Sequence, residues 1–330
     1  MNQARQAAIV QSVPAPVSYQ RAVHQLYIAY LGRPAEPAGL ANFTAVLVSA
    51  SAPADIRQLA AAYYSNQAVR NVVDAFGDSA ESNALYAGNT IEFVAAIYRN
   101  LLNREPQLEG LRFWSNAIDS GALTRGHAAL SILAGALAST TAQGLKDAKT
   151  IDNKVAVAVK FTSSLEGIIY VGNDVATVSR AMLTQVSDAT PPSAFRAIAD
   201  AALERLGVVG FDSIDIGARS GIQQERTVII EDRAAWAGLW AEHKRFDAAY
   251  AEVPSIDFDE RIVLGVFMGS RTTACHSIRI VVIHRSGQNN VVEYRENTPS
   301  SAELCGEALV SPAHLVSVPR SPYPYVFVKQ

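Results

Sequence analysis

The sequence predicts a multi-domain chain in which an all-α domain, built on a duplicated helix-corner-helix module, precedes a small antiparallel α+β domain. Three observations lead to this prediction. The chain has 330 residues, more than one compact core usually holds. The pattern of residues 26–47 recurs in residues 97–123, each time with helical spacing of apolar residues. From Gly210 onward, alternating β-branched residues replace the helical spacing.

The first residues of the chain differ from both domains. Residues 1–18 are rich in Ala, Gln and Val and contain Pro14 and Pro16, so we expect an extended arm there. The helical domain is predicted over residues 19–206, a linker over residues 207–221 and the α+β domain over residues 222–330. Both domains then have an ordinary size.

The duplication has a constant offset of 71 residues and needs no gaps. Such internal symmetry indicates that one supersecondary unit was copied and that the copies fold alike. The matched pairs are Tyr27 and Tyr98, Leu31 and Leu102, Arg33 and Arg104, Gly39 and Gly110, Leu40 and Leu111, and Phe43 and Trp114.

Each copy is predicted to be a helix, a tight corner and a second helix. In the second copy Pro106 cannot continue a helix, so the first helix must end near Asn103. The next helix should close at Ser120 and Gly121, and Thr124 can then cap a third helix. Its apolar stripe is predicted from Leu108, Leu111, either Phe113 or Trp114, and Ile118.

Two residue types at the corners have predicted structural roles. Gly39 and Gly110 are poor helix formers, and we expect a close approach between helices that a Cβ would block. Arg33 and Arg104 follow a helix C-terminus, where a guanidinium can bond the free carbonyls and interact with the helix dipole. A structural role is favoured over a binding role for both arginines.

Further helices are predicted over residues 54–76, 128–137, 151–166 and 171–186, and a last one begins at Pro191 and Pro192. In the second domain Asp232 should cap a helix that buries Trp236, Leu239 and Trp240. Strands are predicted over residues 226–230, 262–268, 277–284, 291–296, 314–318 and 325–328, with residues 262–268 in the centre of the sheet because they are continuously apolar.

Composition excludes several classes of partner. The net charge is −3 and no basic stripe occurs, so nucleic acid is not expected to bind. No apolar run reaches the length of a transmembrane helix. Residues 1–20 lack the apolar core of a signal peptide, so we expect a cytoplasmic protein, export without a cleaved leader, or numbering that starts after processing.

The two cysteines, Cys275 and Cys305, lie in the predicted α+β domain without metal-ligand spacing. We expect a disulfide between them, and the alternative is two unrelated buried thiols. A bond that closes such a loop would contribute roughly 3 to 4 kcal/mol. It would also place the chain in an oxidising compartment.

No catalytic motif is recognisable, and no cofactor is expected apart from calcium. The acidic residues Asp257, Asp259 and Glu260 offer oxygen ligands that calcium prefers. A polar turn before a strand explains the same residues equally well.

Residues 31–43, LGRPAEPAGLANF, and 102–114, LNREPQLEGLRFW, carry a resemblance. They resemble the corner of a helical domain of unknown function from secreted and S-layer bacterial proteins, itself similar to phycobilisome linker domains. The resemblance extends over roughly residues 20–165 and implies a location at or beyond the cell surface. The first copy departs from it, since Pro34 stands where the second copy has Glu105.

The second half carries another resemblance. The order Trp236 to Trp240, the strand IVLGVFMGSRTTACHSIRIVVI, then Tyr294, Glu296 and SPAHLVSVPRS is similar to the C-terminal domain of the PrcB family of protease-complex subunits. The family has a glycine-rich loop where this chain has residues 273–276, TACH. The resemblance implies an accessory, protein-binding role without catalysis.

Three functions follow as expectations. The first is a non-enzymatic extracellular or cell-surface structural protein that assembles with copies of itself. Its connecting element would be Ile9, Val10 and Val13 of the arm or the uncharged strand 325–328. The second is an accessory subunit of a secreted protease complex, and the third is an unrecognised hydrolase.

Overall fold

The structure is a computed structural model that describes residues 16–165, 173–246, 252–299 and 305–330. Its contacts divide the chain into two compact units. The helical unit contains the described residues up to 156 together with 183–190, and the sheet unit contains 157–182 and 191–330. The division therefore falls inside a helix and not at the predicted boundary after residue 206.

Twelve α-helices are present among the described residues, and a 3₁₀ turn, Pro192–Ala194, precedes the eleventh. They are α1 (Pro16–Leu31), α2 (Pro37–Ser49), α3 (Ile56–Ala62), α4 (Gln67–Gly77), α5 (Ala80–Leu85), α6 (Thr90–Leu102), α7 (Leu108–Asp119), α8 (Arg125–Ala138), α9 (Ala142–Ser163), α10 (Asn173–Thr184), α11 (Phe195–Glu204) and α12 (Arg233–His243).

Short polar side chains begin several of these helices. The Asn89 side chain accepts from the backbone N–H of Glu92, whose carboxylate accepts from the N–H of Asn89, so α6 starts with a capping box. Thr124 caps α8 in the predicted way. Helix α1 begins at Pro16, inside the predicted arm, because proline is well tolerated in the first turn. The predicted arm is therefore too long at its C-terminal end.

The core of the helical unit is organised around α8. This helix contacts α1, α3, α4, α6 and α7, which places it in the centre of the bundle. Its buried residues include Ala128 and Ala129, whose small side chains allow neighbouring helices to approach. Leu130 and Leu133 fill the space beside them and are fully buried.

The two copies of the module turn in the same way. Gly32 and Asn103 occupy matched positions after α1 and α6, and both have a positive φ, 64° and 55°. A left-handed residue at this position ends a helix and redirects the chain. The end of α6 near Asn103 is thus explained by this conformation, three residues before Pro106.

Asn103 also holds a buried lysine. Lys154 is fully buried, and its ammonium donates to Asn103 Oδ1 and to the Asn100 carbonyl, both at 2.6 Å. Burial lowers the pKa of Lys154 to about 7, because it disfavours the charged ammonium. The Asn103 amide donates in turn to the carbonyls of Thr184 and Val186. This network fastens residues 184–186 to the second corner.

A tyrosine hydroxyl lies against the glycine in each copy. A Cβ on Gly39 would stand 2.0 Å from the hydroxyl of Tyr27, and a Cβ on Gly110 would stand 3.3 Å from that of Tyr98. The close approach expected at both glycines is therefore present, and its partner is the matched tyrosine of the preceding helix. Tyr27 is held in place by its bond to Glu36, 2.9 Å, and is almost fully buried.

The two glycines should differ in their tolerance of substitution. Gly110→Val is expected to lower the free energy of unfolding by roughly 1 to 3 kcal/mol through overpacking, and Gly39→Val by more, because Tyr27 cannot withdraw. Chemical denaturation of both variants measures the effect. Gly238→Val in α12 is the control, since a Cβ there meets no atom within 4 Å. Equal losses at Gly39 and Gly238 would contradict the prediction.

Nine strands form three sheets in the described part of the sheet unit. The four-stranded sheet has the order β1-β8-β3-β2, the three-stranded sheet the order β5-β6-β9, and β4 pairs with β7. The strands are β1 (Asp212–Gly217), β2 (Glu225–Ile230), β3 (Arg261–Met268), β4 (Arg271–Thr273), β5 (Ser277–Ser286), β6 (Asn289–Asn297), β7 (Glu307–Val310), β8 (Ala313–Pro319) and β9 (Tyr325–Lys329).

Two features correct the sequence prediction. Residues 212–217 of the predicted linker are the edge strand β1, which pairs with β8. Strand β9 runs parallel to β6, so the sheets are antiparallel with that exception. Both errors arise because edge strands and pairings between distant segments leave little periodic signal in the sequence.

Strand β3 is covered on both faces. Ile262, Leu264 and Val266 face a core shared with β5, β6 and β8, whereas Val263 and Phe267 face Trp236 and Trp240 of α12. The chain therefore stacks two sheets and one helix, and its central strand reads as continuously apolar. Gly265 permits this packing, because a Cβ there would stand 2.7 Å from Leu315 Cδ2.

His314 joins the two larger sheets from within. Its Nδ1 accepts from the backbone N–H of Ile280 in β5 at 3.0 Å, so its Nε2 carries the proton and donates to Ser213 Oγ in β1 at 2.8 Å. The ring is neutral in this arrangement. Burial, aided by the charge of Arg279, lowers the pKa of His314 to about 4.

His314 should make stability depend on pH. Because its folded pKa lies below its unfolded value of 6.5, its contribution is present above pH 6.5 and is lost as the pH falls toward 4. Urea unfolding of the wild type should show this loss, and in His314→Phe the loss between about pH 7 and about pH 4.5 should shrink by about 2 to 3 kcal/mol. An unchanged pH slope in the variant would refute it.

Candidate functional site

The corner arginines hold each helix pair to a later part of the helical unit. Arg33 makes a two-point contact with Glu81, 2.7 and 2.8 Å, and a bond to Glu36, while its guanidinium lies 5.3 Å from the Tyr27 ring centre. Arg104 likewise contacts Asp147 through two nitrogens, 2.8 and 2.5 Å. Each therefore binds a carboxylate bidentately. Each also donates to the backbone carbonyl of the following residue, Pro34 or Glu105. The bonds to free helix carbonyls stay a prediction of the sequence.

A serine, a histidine and an aspartate are aligned in the sheet unit. Ser220 Oγ lies 2.9 Å from His243 Nδ1, and His243 Nε2 lies 2.7 Å from Asp215 Oδ2. The hydrogen bond from His243, together with Lys244, holds the pKa of the Asp215 carboxyl below its usual value. These are the residue types of an acyl-transfer triad.

The environment of Ser220 is unlike that of a nucleophile. Ser220 and His243 are 3% and 2% exposed, and Ser220 Oγ accepts the backbone N–H of Ile222 at 3.1 Å. A substrate carbonyl cannot reach a hydroxyl in this position. The Gly221 N–H donates to the His243 carbonyl at 2.6 Å, so the group fastens residues 215–222 to α12. We therefore interpret it as a structural contact.

A cleft of about 630 Å³ opens in the sheet unit between α11 and the ends of β3, β8 and β9. One face of α11 forms a wall with the small residues Ala197 and Ala201. Gly207 to Gly210 and Tyr325 close the other side. The size suits a short extended peptide or a small molecule.

The cleft carries charges of both signs. Arg196 pairs with Asp200, and Arg261 donates to the Ser317 carbonyl at 2.7 Å and lies 3.5 Å from Asp212. Arg285 makes no ion pair with the described residues and lies over the Tyr323 ring at 4.0 Å. The lining holds both acidic and basic side chains, so the arrangement can bind a ligand that carries polar or charged groups.

The acidic turn before β3 makes hydrogen bonds within itself and with Arg320. Asp257 Oδ1 accepts the N–H of Asp259 at 3.1 Å, and the Phe258 and Glu260 carbonyls accept from Arg320. No group of three or more His, Cys, Asp or Glu side chains that could hold a metal ion occurs among the described residues. Calcium at Asp257, Asp259 and Glu260 stays a prediction of the sequence.

The disulfide is present where the sequence predicted it. Cys275 and Cys305 are bonded, and they lie beside the two-stranded ribbon of β4 and β7. Leu309 on β7 is 73% exposed, so the ribbon presents an apolar side chain next to a covalent bond that constrains its two strands.

The outer face of α7 differs from the prediction. Trp114 points inward and its Nε1 donates to the Tyr98 hydroxyl at 3.2 Å, which settles the choice between Phe113 and Trp114. Phe113 is 64% exposed. Leu108 was predicted in the inner stripe and is 59% exposed at the first position of α7.

The predicted assembly residues Ile9, Val10 and Val13 lie outside the described residues. The other predicted connector, residues 325–328, belongs to β9. Val326 and Val328 are 41% and 44% exposed there.

Two segments are similar to known families. A model of a domain of unknown function, DUF4214, matches residues 71–139, and a model described as PrcB C-terminal matches residues 262–319. Both resemblances expected from the sequence are thus confirmed over these residues. The first match covers the second copy of the module and begins after the first copy. The chain matches no curated protein and no solved structure.

In the described ranges no single helix is long and apolar enough to cross a membrane, although the bent pair α8 and α9 meets the length and composition criteria together.

Sequence reasoning missed the cleft and the Ser220, His243 and Asp215 group. The residues of both come from segments that are distant in the sequence and meet only in the folded chain. No spacing in the sequence therefore predicts the cleft or the group. The alternation in residues 212–217 was the only available signal for β1, which positions Asp215.

The disulfide can be tested directly. Peptide mapping without reductant should recover Cys275 and Cys305 in one linked fragment. Cys275→Ser should lower the free energy of unfolding by roughly 3 to 4 kcal/mol through the loss of loop constraint. Cys305→Ser and the double variant should lose the same amount as the single one, since all three remove one bond. Free thiols at both positions in the native protein would refute the prediction.

Proposed function

We propose that this chain is a non-enzymatic extracellular or cell-surface protein whose modules bind other protein chains, copies of itself first among them. The observation that carries the proposal is the edge at β9, which pairs with β6 and with no other strand among the described residues, and which exposes Val326 and Val328. An open edge strand with apolar side chains is a ready template for another strand.

An oxidising location is supported by two further observations. The Cys275–Cys305 bond is typical of proteins outside the cytoplasm. Similarity to the two families adds to this, since the helical one resembles domains of secreted and S-layer proteins. The burial of Ser220 supports a non-enzymatic role, because it keeps the Ser220, His243 and Asp215 group from contact with a substrate.

A second candidate function is that of an accessory subunit in a secreted protease complex. The match of residues 262–319 to the PrcB C-terminal model favours it. The β4–β7 ribbon with exposed Leu309 would then contact the protease. A hydrolase is not proposed.

Self-assembly should depend on the arm or on the β9 edge. Deletion of residues 2–15 stops before α1 and should leave both units folded, with circular dichroism and melting temperature as controls. Val326→Lys with Val328→Lys places charges on the edge and should block strand addition. We expect light scattering and electron microscopy to show large assemblies for the wild type and smaller species for at least one of these variants.

The proposal fails if the native protein stays a discrete monomer at all concentrations tested. Co-purification with a protease at fixed stoichiometry, without self-assembly, would favour the second candidate function instead.

A further inference from the structure

The two larger sheets have four edge strands, β1, β2, β5 and β9. A covering segment, a bulge or charged side chains can block such an edge against another strand. Strand β5 is covered, because Val209 donates to the Ile283 carbonyl and Arg285 donates to the Gly207 carbonyl, both at 2.8 Å. The main-chain groups of β5 that a further strand would need are therefore already bonded at these residues.

Strands β1 and β2 are blocked in other ways. A register shift between Ser213 and Asp215 interrupts the pairing of β1. Strand β2 begins with the charged residues Glu225 and Arg226. Irregular register and charge both disfavour the addition of a further strand at these edges.

Strand β9 has none of these protections among the described residues. Its pairing with β6 runs without a register shift from Tyr325 to Lys329. Its one charged residue, Lys329, lies 2.6 Å from the carboxylate of Glu296 and 3.7 Å from that of Glu225. A lysine protects an edge through its uncompensated charge, and here two carboxylates compensate that charge.

The main chain of β9 has free hydrogen-bonding groups at alternate residues. The Pro324 carbonyl accepts from the Asn290 N–H, and the Gln330 N–H donates to the Tyr294 carbonyl, both at 2.9 Å. Even-numbered residues therefore direct their main-chain groups toward β6, and odd-numbered residues direct theirs away from it. The odd-numbered residues of the strand, whose N–H and C=O groups bond to no other described residue, are Tyr325, Phe327 and Lys329.

These residues can pair with their own copy. If two β9 strands run antiparallel about a two-fold axis at Phe327, perpendicular to the sheet, Phe327 lies opposite Phe327 of the second copy. Tyr325 then lies opposite Lys329 of the second copy. Each such pair exchanges two main-chain hydrogen bonds. All the free main-chain groups of both strands are then bonded, whereas a shift of the register by two residues leaves some of them without a partner.

The side chains fit the same register. Val326 lies opposite Val328 of the second copy at a position without main-chain bonds, where opposed side chains are closest. These valines are 41% and 44% exposed in the single chain, and the two-fold axis makes the valine contact twice. No like charges are opposed, because Lys329 faces Tyr325. The same surface is thus used by both copies, as an isologous interface requires.

We propose that β9 joins two copies of this chain edge to edge, antiparallel, with Phe327 on the two-fold axis. The inference rests on the proposed self-association and names the partner, the direction and the register of its β9 contact. A two-fold contact closes at the dimer, so the β9 edge alone builds no filament. Larger assemblies then require a further contact, such as one made by the arm.

Charge pairs test the register. Val326→Lys combined with Val328→Lys opposes lysine to lysine twice and should weaken the dimer about tenfold or more. Val326→Lys combined with Val328→Glu is the matched control, because it removes the same two valines but opposes lysine to glutamate twice. Its dimer should be about tenfold or more stronger than that of the two-lysine variant. Sedimentation equilibrium of the full chain measures both, and circular dichroism checks that both variants stay folded.

Disulfide trapping tests the same geometry independently of affinity. In the proposed register the Cα atoms of Val326 and of Val328 in the second copy lie about 4.5 Å apart, within the range of a disulfide. Two copies of Val326 lie about 7 to 8 Å apart, beyond that range. A mixture of Val326→Cys and Val328→Cys chains should therefore form a linked dimer under mild oxidation, and each variant alone should not. Peptide mapping without reductant identifies the linked positions.

The outcomes separate this inference from the proposed function. A wild type that self-associates while the mixed cysteine variants form no link overturns the β9 register and leaves the proposed self-association standing. Equal dimerisation of the two-lysine and lysine–glutamate variants also overturns the register. A wild type that stays monomeric at all concentrations tested overturns the β9 contact and the proposed self-association together.

Discussion

The contact between a tyrosine hydroxyl and a glycine sets the geometry of the helical unit. Tyr27 and Tyr98 lie under Gly39 and Gly110, and this contact fixes how closely the two helices of each copy approach. The corner arginine stacks on the same tyrosine ring in both copies, 5.3 and 5.1 Å from its centre. Aromatic ring, guanidinium and glycine thus form one packed group that is present in both copies.

Around that group the copies have diverged in charge and burial. In the first copy Phe76 of α4 packs on Tyr27 and Phe43, with ring centres 5.1 and 4.6 Å apart. At the same offset the second copy has Asp147, which binds Arg104. The ring of Phe76 in the first copy thus stands where the second copy has the ion-paired Asp147. A buried ring stabilises the fold through the apolar area that it removes from water. A partly exposed ion pair stabilises the fold less, and its contribution depends on salt.

Much of this fold could be predicted from the sequence, and the failures share a cause. Residues 262–268 were recognised as a central strand because burial on both faces leaves a continuous apolar run, and Thr124 and Asp232 as caps because capping is local. Strand β1, the parallel partner of β9 and the exposure of Leu108 were missed or misplaced. Each depends on which distant segment lies beside a residue, and local periodicity does not contain that information. The Ser220, His243 and Asp215 group could not be predicted from the sequence for the same reason.

The order of segments along the chain has a consequence for inheritance and folding. Residues 157–182 belong to the sheet unit but precede residues 183–190 of the helical unit, so the units are interleaved in sequence. No single cut separates them, and an exchange of gene segments at one point would leave at least one unit incomplete. The core of the sheet unit closes only after a strand such as β8 pairs with β1, about a hundred residues earlier in the chain. The last segment of the helical unit ends at residue 190, so during synthesis this unit can become compact before the strands of the sheet unit have been made.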